Sequence, residues 1–310
     1  MTTKEPQMKT LSDWKGRLIV GRYELREHIN TSEMSCVFKA WDCQGKWEVI
    51  VKIAINSSRF DDRVTRLKRE TEALRTLKHP AIVRLLDSGQ IDRLSYFLVL
   101  EYIQGNDLQM ALELFRYFSI DESISVLVQV LEALHEAHKK NMIHRDVKSA
   151  NIMIAPDGVK LVDFGLVKFD PDYNPLRKPT ATGNMVGTRL YASPEQAMGT
   201  GRYDCRSDLY SCGVVLYEIL TRSLPFYEMD EDSEEWEDYW NHLRPFSKIY
   251  SIPKKVQAIV WKALSVDPDL RYQTAEEMRV ALLAARPFSL RRFVKGLLSK
   301  ARRYWRWFWE

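Results

Sequence analysis

Between residues 22 and 55 apolar and polar side chains alternate with a period of two. This pattern predicts three strands, with Asp42-Cys43-Gln44-Gly45 as a hairpin turn. The period then lengthens. Over 61–78, Val64, Leu67, Ala73, Leu74 and Leu77 fall on one face of a helix. Two further strands are expected near 83–91 and 95–101, and from 107 onward the pattern is helical. Residues 121–140 carry Ile124, Leu127, Val128, Leu131 and Leu134 at spacings of three and four. Helices are also predicted at 204–222, 253–265 and 274–285. Residues 1–17 are polar and expected to be loose. No internal repeat is visible. A small mostly-β part followed by a larger helical part makes the fold class α+β.

Composition narrows the class without naming a chemistry. A chain of 310 residues exceeds one minimal core, so one bilobal unit with short flanks is expected. A hydrophobic content of 45% and a charged content of 28% are those of a globular protein. The net charge of +4 is too mild to point to nucleic acid, and none is expected as a partner. Cys36, Cys43, Cys205 and Cys212 lack metal-site spacing and accompany no signal peptide, so they read as reduced cytoplasmic thiols. The six histidines show no paired ligand spacing, so no zinc is assigned.

The chemistry is concentrated in His144-Arg145-Asp146-Val147-Lys148-Ser149-Ala150-Asn151 and, twelve residues on, Asp163-Phe164-Gly165. Together they put a base, a cation and two hard-oxygen metal ligands on neighbouring loops in 141–166. The two stretches resemble the catalytic and metal-binding loops of the eukaryotic-like (Hanks-type) protein Ser/Thr kinases, bacterial group. The resemblance extends over roughly residues 20–285 and implies a bilobal protein-kinase-like fold. The implied kinase domain is 18–285, with an N-lobe at 18–103 and a C-lobe at 104–285, between a flexible 1–17 and a tail at 286–310.

The implied activity is transfer of the γ-phosphoryl group of ATP to Ser/Thr hydroxyls of proteins. Asp146 would serve as base and Lys148 would sit on the transferring phosphate. Asn151 and Asp163 would hold Mg²⁺, with Mn²⁺ as the alternative metal. Lys52, in Val49-Ile50-Val51-Lys52, would hold the α- and β-phosphates. Glu70, ten residues before Pro80, is its implied partner, with Glu72 as the register alternative. Leu98-Val99-Leu100-Glu101-Tyr102-Ile103 resembles the strand entering the hinge, where the backbone of Glu101 and Ile103 would pair with adenine and Leu100 would lie behind it. Ile29, Val37, Ile50 and Met153 complete the expected nucleotide contacts. Asp107 stands where the family has a ribose-binding acid, and could equally cap the following helix. Thr188 would bond Asp146 and Lys148. Glu195 would pair with Arg271, and Asp208 would hold the catalytic loop.

Two departures fall on the nucleotide side. The family's glycine-rich phosphate loop reads here Asn30-Thr31-Ser32-Glu33-Met34-Ser35-Cys36-Val37, with all three glycines gone. Glycine permits close backbone approach and unusual dihedrals; Asn and Ser are the least disruptive replacements. Ile50 stands where an Ala usually roofs the adenine. Both changes predict altered nucleotide binding with the transfer residues intact. The competing reading is a pseudokinase-like scaffold with weak nucleotide binding.

The remaining segments suggest regulation. Asp170 to Asn184 is rich in Pro, Asp, Thr and Asn, which predicts a mobile activation segment, with Thr180 and Thr182 as phosphorylation candidates facing Arg145. Glu228 to Asp238 is an acidic insert, read as a solvated loop or a dock for basic substrates. In the tail, Arg291, Arg292, Lys295, Lys300, Arg302, Arg303 and Arg306 alternate with Leu290, Phe293, Leu297, Tyr304 and Trp305. A basic, aromatic amphipathic helix of this kind suits an anionic membrane surface, through 287–310. The alternatives are packing on the large lobe or on the acidic insert, or a protein partner. The implied location is cytoplasmic and peripheral at the inner membrane surface.

Overall fold

The computed structural model describes residues 14–32, 35–56, 62–114, 117–164, 190–198, 204–226, 240, 242–247 and 251–286. Thr180, Thr182, Thr188, the acidic insert and the tail 287–310 lie outside them.

A six-stranded antiparallel sheet forms the small lobe: β1 (Leu18–Ile19), β2 (Tyr23–Thr31), β3 (Cys36–Asp42), β4 (Trp47–Ile55), β5 (Leu85–Gln90) and β6 (Ser95–Glu101), in the order β1-β2-β3-β4-β6-β5. The Asp42 carboxylate fixes the predicted turn by accepting the Gln44 and Gly45 N–H groups at 3.0 Å each. Period-two alternation gives the sheet two faces. Tyr23, Leu25, Phe38, Val49, Val51, Ile53 and Val99 close a core of their own. Ile50, Ala54, Leu98 and Leu100 face the opposite way and pack against α1 (Arg63–Thr76) and the large-lobe core. Lys52 shares that parity, so the sheet itself aims it between the lobes.

The large lobe is built on α2 (Leu108–Glu113), α3 (Ile120–His138), α4 (Pro194–Ala197), α5 (Cys205–Thr221), α6 (Lys254–Ala263) and α7 (Ala275–Ala284). A capping box starts α3: Ser119 Oγ accepts the Glu122 N–H at 3.2 Å, and Glu122 accepts the Ser119 N–H at 2.9 Å. The apolar face of α3 then buries Ile124, Leu127, Leu131 and Leu134 completely. Gly213 lets α5 meet α6 closely, since a Cβ there would lie 2.8 Å from the Ala263 Cβ.

A second, three-stranded sheet joins β7 (Asn106–Asp107), β8 (Ile152–Ala155) and β9 (Gly158–Leu161). The helical reading from 107 onward missed it, because strands of two to four residues are too short to show a period. Leu161 donates to the Ala81 carbonyl (2.8 Å) and accepts from the Val83 N–H (3.1 Å), which ties the small lobe to this sheet. The motif residues lie on and around that junction.

Candidate active site

Strand parity and helix phase bring the first pair together. On α1 the buried positions are Val64, Leu67, Glu70, Thr71, Ala73 and Leu74, so the helical face that packs on the sheet carries Glu70 inward. Its Oε1 lies 2.8 Å from Lys52 Nζ. Glu72 points outward in an exposed pair with Arg75, which removes the register alternative. Lys52 also donates to Asp163 Oδ1 at 3.1 Å. Burial opposes its charge, but Asp163 and Glu70 outweigh burial and hold the ammonium well above the ordinary lysine range. Asp163 is lowered, chiefly by Lys52. Glu70 is raised by burial against the pull of Lys52.

The catalytic loop hangs on α5. The fully buried Asp208 accepts the N–H groups of His144 (2.9 Å) and Arg145 (2.8 Å), and His138 Nε2 lies 2.7 Å from its Oδ2. Arg145 and Asp163 have φ of 68° and 64°, which costs of order 1 kcal/mol or more for a non-glycine residue. The surroundings over-determine both. Asp208 holds the Arg145 N–H, and Lys52 holds the Asp163 carboxylate. Between them, the His144 ring accepts from the Asp146 N–H (3.3 Å) through Nδ1 and donates to the Val162 carbonyl (3.1 Å) through Nε2. Its edge packs on the buried Phe164 at 4.7 Å. One side chain thus spans both motif loops.

Asp146 is oriented from one side. Lys148 Nζ (2.8 Å) and Asn151 Nδ2 (3.0 Å) both donate to its Oδ2, and Asn151 also donates to its carbonyl at 2.8 Å. Its Oδ1 takes no hydrogen bond from a described residue, so one carboxylate oxygen is left for an incoming hydroxyl. Burial raises the Asp146 carboxyl, opposed by Lys148, a direction that favours proton acceptance. Because the Asn151 amide nitrogen is engaged, its Oδ1 is left without a donor among the described residues. Asp163 Oδ2 is likewise without one, and that side chain is 45% exposed. Two uncommitted hard oxygens are the donor chemistry that Mg²⁺ takes.

The nucleotide face matches the expected residues in part. Leu100 is buried, and Val37, Ile50 and Met153 are half-buried on the inter-lobe side. Ile29 sits in a β-bulge between His28 and Asn30 and is 51% exposed. The Ile103 N–H and carbonyl have no partner among the described residues, as an adenine-pairing edge requires. The Glu101 N–H is taken by the Arg84 carbonyl (3.0 Å), so any backbone bond from Glu101 to a base must come through its carbonyl. Asp107 caps α2 by accepting the Met110 N–H at 2.7 Å.

At the three positions where the family has glycine, the described backbone of the phosphate loop takes no positive φ. Asn30, Ser32 and Ser35 are absent from the left-handed residues. Instead the turn is laced by its own side chains. Ser32 N–H reaches the Ser35 carbonyl (2.9 Å), Ser35 N–H reaches Ser32 Oγ (3.1 Å), and Thr31 Oγ1 bridges His28 Nε2 (2.7 Å) and Cys36 Sγ (3.2 Å). Glu33 and Met34 lie outside the described residues.

Glu195 grips Arg271 with two bonds of 2.8 Å, as expected, and Gln196 Nε2 reaches the Arg145 carbonyl at 3.3 Å. The sequence reading missed His138, Ser149, Tyr191 and Glu218. Their contacts join residues 27 to 70 positions apart and carry no local pattern.

Comparison with known proteins agrees with this geometry. The family description "protein kinase domain" matches residues 23–283. A probable serine/threonine-protein kinase of Streptomyces coelicolor is 37% identical over 278 residues, covering 86% of this chain and 40% of that protein. A probable serine/threonine-protein kinase of Clostridium perfringens is 35% identical over 266 residues, 85% of this chain and 38% of that protein. The serine/threonine-protein kinase PknB of Mycobacterium tuberculosis is 36% identical over 272 residues, 84% and 42%. The chain thus spans about 40% of the length of these relatives. With that match over both lobes, the chain belongs to the protein kinase family, in its bacterial Hanks-type Ser/Thr group.

Proposed function

We propose that this chain is a catalytically active, ATP-dependent protein Ser/Thr kinase that uses Mg²⁺. The observation that carries the reading is the completed set of contacts around Lys52. It bridges Glu70 and Asp163, while Lys148 and Asn151 both donate to Asp146 Oδ2 and no described residue donates to its Oδ1. A scaffold that had abandoned catalysis has no physical need to maintain a buried cation between two carboxylates.

ATP would supply the phosphoryl group, and a divalent ion held by Asn151 Oδ1 and Asp163 would neutralise phosphate charge. The protein's own residues do the rest. Asp146 Oδ1 accepts the hydrogen bond of a substrate hydroxyl and orients its oxygen, and Lys148 keeps that carboxylate in place. Lys52 stays cationic through its two acids and offers fixed charge to the α- and β-phosphates. The kinase unit is taken as 18–285. Thr188 would complete the hydroxyl site, and Thr180 and Thr182 are the sites of activating phosphorylation. The tail 287–310 would hold the enzyme at an anionic membrane surface. No described helix is long and apolar enough to cross a membrane.

The test is incubation with radiolabelled ATP and Mg²⁺ or Mn²⁺, comparing the unmutated chain with Asp146→Asn, followed by peptide mapping. Label that appears on Thr180 or Thr182, or on a basic test protein, and vanishes in Asp146→Asn is the expected result. A folded sample that transfers no label with either metal would return the chain to the scaffold reading.

A further inference from the structure

Ser149 opens the short 3-10 turn Ser149–Asn151, between Lys148 and the metal-ligand candidate Asn151, and it is fully buried. Its hydroxyl donates to Glu218 Oε2 on α5. Tyr191, just before α4, donates its hydroxyl to the same oxygen at 2.7 Å. One carboxylate oxygen therefore joins the catalytic loop, the end of the activation segment and the large-lobe helix that also carries Asp208. No cation pairs with Glu218 among the described residues. Burial raises its carboxyl, and the two hydroxyls oppose that rise without cancelling it. A buried carboxylate without a counter-ion depends on its hydroxyl donors, so losing either donor weakens the hold of the other.

The turn needs such an anchor. Lys148, which precedes it, supplies no side-chain cap. Two backbone ties are local or reach the strand beside it, the Asn151 N–H to the Lys148 carbonyl and the Val162 N–H to the Asn151 carbonyl, both 2.9 Å, and Ser149 also meets the Tyr191 hydroxyl directly. The Ser149 hydroxyl is the side-chain contact that fixes the turn to the helical core. Rotation of this turn would swing Asn151 Nδ2 off Asp146.

We propose that Ser149 is a positioning residue: through Glu218 it sets the turn that presents Asn151 and Lys148 to Asp146, and it couples that turn to Tyr191. The role rests on the kinase reading above, and it acts on geometry, not by contact with substrate.

The experiment compares Ser149→Ala, Ser149→Thr, Tyr191→Phe and the Ser149→Ala/Tyr191→Phe double variant in the full chain. It reads steady-state kinetics, together with Mn²⁺ binding by electron paramagnetic resonance with a non-hydrolysable ATP analogue. Loss of a hydrogen bond to a buried charge predicts that Ser149→Ala lowers kcat about tenfold while KM for ATP stays within about twofold. Mn²⁺ binding should weaken in parallel, and Ser149→Thr, which keeps the hydroxyl, should restore both. The double variant should lose less than the product of the single losses, because both donors act on one oxygen. Unchanged kcat and Mn²⁺ affinity in Ser149→Ala, equal losses in the Ala and Thr variants, or fully multiplicative losses would each overturn the proposal. If the unmutated chain turns over no ATP, the kinase reading fails on its own, and the Mn²⁺ comparison still decides the role of Ser149.

Discussion

Arg271→Met tests a buried ion pair of the large lobe. The Arg271 side chain is fully buried and lies 4.9 Å over the Tyr210 ring. It makes two bonds of 2.8 Å to Glu195, and others to the carbonyls of Ser265 (2.7 Å) and Val266 (2.9 Å). Methionine fills much of the same volume but removes both guanidinium bonds to Glu195, to which Ser207 Oγ still donates at 2.7 Å. Removing one partner of a buried pair costs about 3–5 kcal/mol, a large part of the roughly 5–15 kcal/mol that holds a domain folded. At about 2–4 °C per kcal/mol for a lobe of this size, the midpoint should fall by of order 10 °C. Calorimetry and urea titration at pH 7 measure it.

The pH dependence has a definite sign. Burial raises the Glu195 carboxyl, but Arg271 wins and the group ends below its ordinary value. A depressed carboxyl contributes stability above its unfolded pKa of about 4.3 and loses it as pH falls toward the folded value. The gap between the unmutated chain and Arg271→Met should therefore be full at pH 7 and shrink below about pH 4. Adding Glu195→Gln to Arg271→Met should recover part of the loss, since no buried charge is then stranded. A loss under about 1 kcal/mol, or a gap that does not shrink in acid, would refute this account of the bridge.

Two further outcomes are expected. Ile50→Ala removes three carbons from the inter-lobe face of β4 and should tighten ADP binding several-fold in calorimetry; unchanged affinity would clear Ile50 as an obstacle in the roof. Deleting 287–310 should abolish co-sedimentation with anionic liposomes while leaving peptide phosphorylation in solution intact, and pelleting that survives the deletion would end the membrane reading.

The long strands and helices were legible because amphipathic segments carry their period in the residues themselves; the strands of two to four residues, β1 and β7 to β9, were not. Lys52, Asp146, Asn151 and Asp163 were picked out by their resemblance to the family's motifs, and the fold brings Lys52 to Asp163 and Asn151 to Asp146. The choice of Glu70 over Glu72 needed the packed face of α1, since both satisfy helical spacing to within a register error. Asp107 was ambiguous for a related reason: an Asp before a helix satisfies capping and ribose binding alike, and only its bond to Met110 shows which contact it makes here. In the phosphate loop, the local ties of the residues that replace glycine were not legible. Ser32, Ser35 and Thr31 tie the turn with side-chain bonds that no spacing rule reveals.

The sequence by itself determined what the local chain could encode: periodicity, turn chemistry and the identities of the reactive groups. Tertiary structure alone decided which distant groups meet. His138 on Asp208, His144 between both motif loops, and Ser149 and Tyr191 on one oxygen of Glu218 all follow from packing between residues apart in the chain. Such contacts are selected by burial and hydrogen-bond satisfaction in the folded core, where an unpaired polar group is costly, and that constraint leaves no periodic trace along the chain.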